Sequence, residues 1–489
     1  MKADTHIARD QMRVATTREA AFPVLWILWI ATACVGYGAF LLRLSDSLII
    51  IAFASIIATI PLLGLRIKPL RWFHPMVMVA VPAIVGIGLR SVYLLYDRKS
   101  DGASRLLLGQ NPEDVVVLGS LLAAVGLSAL TMTFVFAQSK SGSGRKLWFG
   151  MNWQEDSGRS ITLLLVSLMI GVVATVFYVR ATGGFSWDAI SGKRYIELSN
   201  DSVSSGAFIS RATSIPALAC LPILSSWAKG STPSVGVRIL VIVCIGASTV
   251  APFIASSRAE IIALLVVCGI TWSFSRTMSV AALVAVSIVA LGVLLTMGSL
   301  RCEHQSGASE TCGVEKEVEG SLLANENWLS VSKTYHIARK VPDVVGFQYG
   351  STILGAMLAP IPRTIWESKP SVRSDILVGF QILELPPTRR TGASPGFIGE
   401  LYLNLGLPAV VLGMGAMGYA LRRLWDWLYE TRSDFAISVF ALAAVHIALR
   451  LPQGDFTGSM LPFLQGAFVV GAVLWFGQRP IKGVTDSPG

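Results

Sequence analysis

The sequence predicts an all-α polytopic membrane protein of about twelve transmembrane helices, with a large outer loop between the ninth and the tenth. Composition is the first reason: 53% of the 489 residues are hydrophobic and only 14% are charged, with a mean hydropathy of +0.61, where soluble domains carry about 25% charged residues. The second is length, because the near-uncharged runs match the roughly 20 residues that a helix needs to cross a hydrocarbon core. The third is the unequal sharing of basic residues between alternate connections.

The spans fall at roughly 22–42, 48–65, 72–96, 114–137, 161–180, 206–226, 237–254, 259–275, 279–299, 397–420, 434–450 and 459–477. Residues 1–21 are then a cytoplasmic tail, 22–299 carry spans one to nine, and 300–396 form the outer loop. Residues 397–477 carry spans ten to twelve, and 478–489 are a second cytoplasmic tail. With the N-terminus inside, nineteen of the forty basic residues face the cytoplasm and nine lie in the short outer connections, while ten fall in the long segment. Long loops translocate largely regardless of charge, so the short connections decide, and both termini are expected inside. The net charge of +10 therefore requires no nucleic-acid partner. Ala31-Thr32-Ala33-Cys34 faintly resembles a lipoprotein cleavage site, but apolar residues continue to Leu42, as in a retained helix.

Cys34, Cys220, Cys244 and Cys268 fall within spans, where a free cysteine acts as a small apolar side chain. Cys302 and Cys312, in RCEHQSGASETCG, lie in a polar loop on the oxidising side and are expected to close a disulfide, with two free thiols as the alternative. His304 between them lacks a further ligand pair at zinc spacing. No metal and no cofactor are expected.

The remaining signal is charge at the outer ends of spans. Arg90 either faces a cavity or snorkels to the surface. The inner loop 138–160 is basic, with Trp148 and Trp153 suited to the headgroup interface. The outer segment 180–205 offers Lys193 and Arg194, and Arg211 is placed about one and a half turns into span six, either beside an anion in a pocket or in a structural ion pair. Arg258 stands in the tight SSRAE turn, with Glu260 as a local ion-pair partner on the bland reading. Within the long loop, 301–320 is polar and acidic. Trp328, Val331, Tyr335 and Ala338 repeat at the spacing of an amphipathic helix on the membrane surface, with His336 close to its apolar stripe. The segment GSTILGAMLAPIPRTIWESKP, 350–370, joins an apolar run too short to span to a Pro-Arg and a Lys-Pro pair. It is expected to be re-entrant or interfacial, with Arg363 and Lys369 presented to anionic lipid headgroups. Arg373, Arg389 and Arg390 follow. Glu400 lies four residues into span ten with Asn404 on the same face, His446 and Arg450 share a face of span eleven, and Asp455 follows. Acidic and basic groups at such depth are functional candidates by default, and these are expected to converge on one outward cavity.

IPRTIWESKP, GASPGFIGELYLNLG and RLPQGDF, and more weakly the GGF loop after span five and the SSRAE turn, resemble the corresponding places of the bacterial O-antigen polymerase family, the oligosaccharide repeat-unit polymerases. The resemblance covers most of the chain from about residue 180, and the first four spans match only in hydropathy. It departs in RLPQGD, where Leu451, Pro452 and Gln453 separate Arg450 from Gly454 although the family often has a compact Arg-Gly-Asp. The resemblance implies a GT-C-like membrane glycosyltransferase of the bacterial inner membrane, metal-independent, acting at the periplasmic face. It would join undecaprenyl-diphosphate-linked repeat units into polysaccharide, with membrane lipid and a chain-length regulator as further partners. Arginine forks suit a diphosphate leaving group, so Arg211, Arg258, Arg363, Lys369, Arg389, Arg390 and Arg450 are assigned to it. Arg194, Asn404 and Asp455 are assigned to the glycan. Glu400 is the first choice of base for the acceptor hydroxyl, and His336 or His446 the second. An O-antigen ligase or another polyprenyl-dependent glycosyltransferase would use the same cations. A flippase or exporter fits less well, because the long loop is present and repeated halves are not seen.

Overall fold

A computed structural model of the protein describes residues 46–137, 157–181, 211–254, 258–276, 292, 331–358, 366, 374–384, 393–450 and 454–477. The described residues are helical throughout and contain no strand. Helix α1 runs Asp46–Ala58 and continues as a 3₁₀ turn, Ile60–Arg66; α2 runs Pro75–Tyr96 through a π-segment at Ile84–Leu89; α3 is Asp101–Leu107 and α4 Pro112–Phe136. They are followed by α5 (Ser157–Ala181), α6 (Ile215–Ala228), α7 (Val235–Ile254) and α8 (Arg258–Ser275). The C-terminal part holds α9 (Val331–Lys340), α10 (Ser351–Leu358), α11 (Ser374–Leu377, prolonged by a π-turn over Val378–Ile382), α12 (Gly396–Leu405) and α13 (Leu407–Thr431). It ends with α14 (Asp434–Leu449, a π-segment from Ala444) and α15 (Phe456–Gly477).

Six of these helices are long and apolar enough to cross a membrane: Asp46–Arg66, Pro75–Tyr96, Pro112–Phe136, Gly158–Arg180, Val235–Ile254 and Phe456–Gly477. The protein is thus a helical, multi-pass membrane protein in composition and build. Ile215–Ala228, Ala259–Phe274 and Asp434–Leu449 are apolar but shorter. Among these, α6 and the first ten residues of α14 are buried almost all round, as a helix in the centre of a bundle must be. The outer helices leave Met169, Val176, Phe468 and Trp475 exposed, a surface that suits lipid and not water. Spans 22–42 and 279–299 lie outside the described residues, apart from Gly292 alone.

Local chemistry sets the helix ends. At the start of α4, Asn111 accepts from the Glu113 N–H at 3.3 Å, Pro112 occupies the first position, and Glu113 and Asp114 fill the first turn, favourable against the positive end of the helix dipole. Ser433 caps α14 by accepting from the Ala436 N–H at 3.1 Å. The strongest pairing in the bundle joins α4 and α13, which run side by side. Gly418 makes it possible, because a Cβ there would collide with the Leu130 carbonyl.

The expected tenth span, 397–420, is broken. Gly406 adopts φ 69, ψ −151, a conformation essentially confined to glycine, and Pro408 opens α13 behind it. Helix α12 folds back so that Leu401 packs on Gly413, where a straight helix would hold them about 18 Å apart. Helix α9 also departs from expectation. Its apolar stripe is not alone in being buried: Val331 to Ile337 are all buried within the protein, and its polar residues bond to neighbouring elements.

Candidate functional site

The centre of the site is α12, which delivers Glu400 and Asn404 to one place. Glu400 is 2% exposed. Its Oε2 accepts a hydrogen bond from the backbone N–H of Phe456 at 2.6 Å, so the carboxylate stands at the N-terminus of α15, where the helix dipole stabilises negative charge. Its Oε1 is buried and, among the described residues, lacks a well-formed hydrogen bond, although the hydroxyls of Thr352 and Ser374 face the carboxylate. Asp455 is close enough for the two negative charges to repel.

Asn404, expected to contact the glycan, is bonded within the protein. Its Oδ1 accepts from the Gly350 N–H at 2.7 Å, and its Nδ2 donates to Thr352 Oγ1 and to the Glu400 carbonyl, each at 2.7 Å. Three of the four bonds an amide makes are therefore internal. Beside it, the Leu403 and Asn404 carbonyls, left open at the end of α12, accept from the N–H groups of Gln348 and Tyr349 at 3.0 and 3.1 Å. The start of the 350–370 segment is thus fastened to α12, and its apolar run forms α10, packed against α15.

A cationic group adjoins this carboxylate pair through the turn that follows α14. The Arg450 carbonyl accepts from the Gly454 N–H at 2.5 Å, and Asp455 caps α15 through its Oδ1 and the Gly458 N–H. At least one Asp455 oxygen is therefore engaged by the fold. Arg450 and Arg211 both act electrostatically on Glu260 and on His446, so the end of α14, the start of α8 and the segment before α6 come near one another here. The π-segment at Ala444–Leu449 re-aims the end of α14 toward this group, and His446 Nδ1 is buried with no hydrogen-bond partner among the described residues. Arg211 does not sit inside a regular span: α6 begins at Ile215, a turn at 213–214 intervenes, and the Arg211 carbonyl accepts from Gln465 Nε2 at 3.1 Å.

His336 belongs to a separate cluster. Its Nε2 donates to the Leu106 carbonyl at 2.9 Å, tying α9 to the end of α3. Burial holds the ring below its ordinary value, Lys340 adding in the same direction, while the Leu106 bond and Glu384 oppose. On the exposed side Lys340 pairs with Glu384 at 2.5 Å, and this bond lowers the carboxyl of Glu384. Lys333, 1% exposed, donates to the Ser394 carbonyl. Arg90 is 1% exposed, so it is buried in the bundle and does not snorkel.

Arg194, Arg363, Lys369, Arg389, Arg390, Cys302 and Cys312 lie outside the described residues, as does the side chain of Arg258. Thr352, Ser374 and the Phe456 N–H were not singled out by sequence. The only signal for them is that Thr352 and Ser374 flank the IPRTIWESKP stretch and Phe456 ends the RLPQGDF stretch. No family model, no curated protein and no solved structure matches the chain.

Proposed function

We propose that the protein polymerises undecaprenyl-diphosphate-linked oligosaccharide repeat units into surface polysaccharide at the outer face of the bacterial inner membrane. The observation that carries this reading is the buried Glu400 carboxylate, set beside Asp455 at the N-terminus of α15, with the Arg450 guanidinium reaching the Gly458 carbonyl in the first turn of the same helix. A hydroxyl oxygen of the incoming unit attacks C1 of the donor sugar, the bond from C1 to the diphosphate oxygen breaks, and the lipid diphosphate leaves with the electron pair. The hydroxyl proton passes to Glu400 at Oε1, since Oε2 is held by the Phe456 N–H. Arg211 and Arg450, with Arg258, Arg363, Lys369, Arg389 and Arg390 from the sequence reading, stabilise charge growing on the diphosphate. Arg194 contacts the glycan. His446 is the second candidate for the base, and His336 is held by Leu106 as a tie between helices.

The test is the glycan profile of a deletion strain resolved by size. Loss of the ladder with survival of a band carrying one repeat unit supports a polymerase, because export and ligation still operate. Loss of every repeat with accumulation of lipid-linked units refutes it, and points to a ligase or a flippase.

A further inference from the structure

The end of the bundle opposite the carboxylate pair is rich in cations, and most are engaged. Lys229 pairs with Asp434 at 2.8 Å and Arg422 with Asp426 at 2.9 Å. Arg71 Nη1 donates to the carbonyls of Ser273 and Phe274 at 3.2 and 2.9 Å. Two arginines differ. Arg238, in the first turn of α7, lies 5.5 Å over the Trp227 ring, and Arg276, just past α8, lies 5.9 Å over the Trp272 ring. The two indoles meet edge to face, with centroids 5.3 Å apart and planes at 85°. The four side chains thus form a row, Arg238–Trp227–Trp272–Arg276, drawn from the ends of α6, α7 and α8. Arg238 Nε donates to the Pro233 carbonyl at 2.8 Å, and among the described residues neither arginine has an acidic partner.

We propose that this row binds the phosphate of an anionic phospholipid headgroup. Guanidinium forks match phosphate oxygens, and tryptophan is suited to the headgroup level, with an apolar body and one polar edge. A lipid is favoured as the source of the phosphate because Val235, Ile239 and Ile242, 69%, 56% and 68% exposed, form an apolar stripe along α7 beside Arg238. That stripe leads away from the cations and gives acyl chains a track. Lys229 and Arg422 are neutralised by Asp434 and Asp426, so the two arginines of the row are left to hold the phosphate.

Native mass spectrometry of the detergent-purified protein tests this, with phosphatidylglycerol, phosphatidylcholine and inorganic phosphate as probes. The unaltered protein is expected to retain phosphatidylglycerol in preference to phosphatidylcholine. Arg238→Gln with Arg276→Gln is expected to lower that retention about 30-fold, near five-fold for each arginine, whereas the double lysine variant keeps most of it. Equal retention of the two lipids by the unaltered protein overturns the proposal, and needs no variant to fold. So does undiminished retention by the glutamine variant. Displacement of the lipid by millimolar phosphate overturns the lipid source in favour of the free ion.

Discussion

Glu400→Gln keeps the side-chain volume and an acceptor for the Phe456 N–H, and removes only the negative charge. A hydrogen bond to a charged group contributes about 1.5–3 kcal/mol and a neutral one about 0.5–1.5, so the contact at 2.6 Å loses about 1 kcal/mol. Relief of the repulsion from Asp455 offsets part of that. The net change in stability is about 1 kcal/mol or less, a shift of no more than about 3 °C in a chain of this size. If Glu400 is the base, transfer falls by about 10²–10⁴. The rate and the fold therefore respond on different scales. The assays are the glycan ladder in cells lacking the native gene copy and the thermal unfolding of the same variant in detergent. A ladder of normal length refutes the base assignment. Unfolding lowered by more than about 3 kcal/mol, with loss of the ladder in proportion, refutes it equally and makes Glu400 a brace for α15. Glu400→Ala provides the contrast, since it strands the Phe456 N–H and leaves a cavity, at about 2–4 kcal/mol.

Asn404→Ala removes the bonds to the part-buried Gly350 N–H and to the Thr352 hydroxyl, and at about 1–3 kcal/mol in all it should lower the unfolding temperature measurably. Gly418→Val drives a side chain into the Leu130 backbone, which no rotamer relieves, and should cost at least about 1–3 kcal/mol, read as loss of the monodisperse peak in size-exclusion chromatography. His336 has a folded value below its ordinary 6.5, so the unfolded chain takes up the proton first as pH falls. Stability should be unaffected above about pH 6.5 and decline below it by up to about 1.4 kcal/mol per pH unit, until the folded value is passed. Unfolding followed from pH 8 to pH 5 should show a component of that decline that His336→Gln removes.

Much of the membrane build was legible because it rests on local composition. The run 114–137 matches α4, Pro112–Phe136, and 237–254 matches α7, Val235–Ile254, since a stretch with few charges in a helix-forming chain leaves one outcome in lipid. The break in 397–420 had a visible cue in LNLGLP, where glycine two residues before proline is a helix breaker, but apolar length outweighed it. Pairing Glu400 with Asn404 by helical spacing correctly placed them together. What they bond to was not legible, because Gly350 and Phe456 lie 54 and 56 residues away and periodicity carries no such information. The burial of α9 is the same case: its stripe reads as amphipathic, yet its polar residues are satisfied by Leu106, Gln110 and Ser394, distant in sequence. The three π-segments left no mark in the residue pattern.

The bond from Phe456 to Glu400 also bears on how the protein is made. The donor is synthesised 56 residues after the acceptor, with α13 and α14 inserted between them. Until α15 follows, the nascent chain holds a carboxylate that nothing downstream has yet capped, and the 350–370 segment is tethered to a helix whose own seat is unfinished. Closure of the site is therefore a late event in biogenesis, coupled to delivery of the last apolar helix. A chain ended before residue 456 would keep five of the six helices long and apolar enough to cross a membrane and would lack the Phe456 N–H that Glu400 accepts from, so the apolar build and the closure of this carboxylate's surroundings are separable.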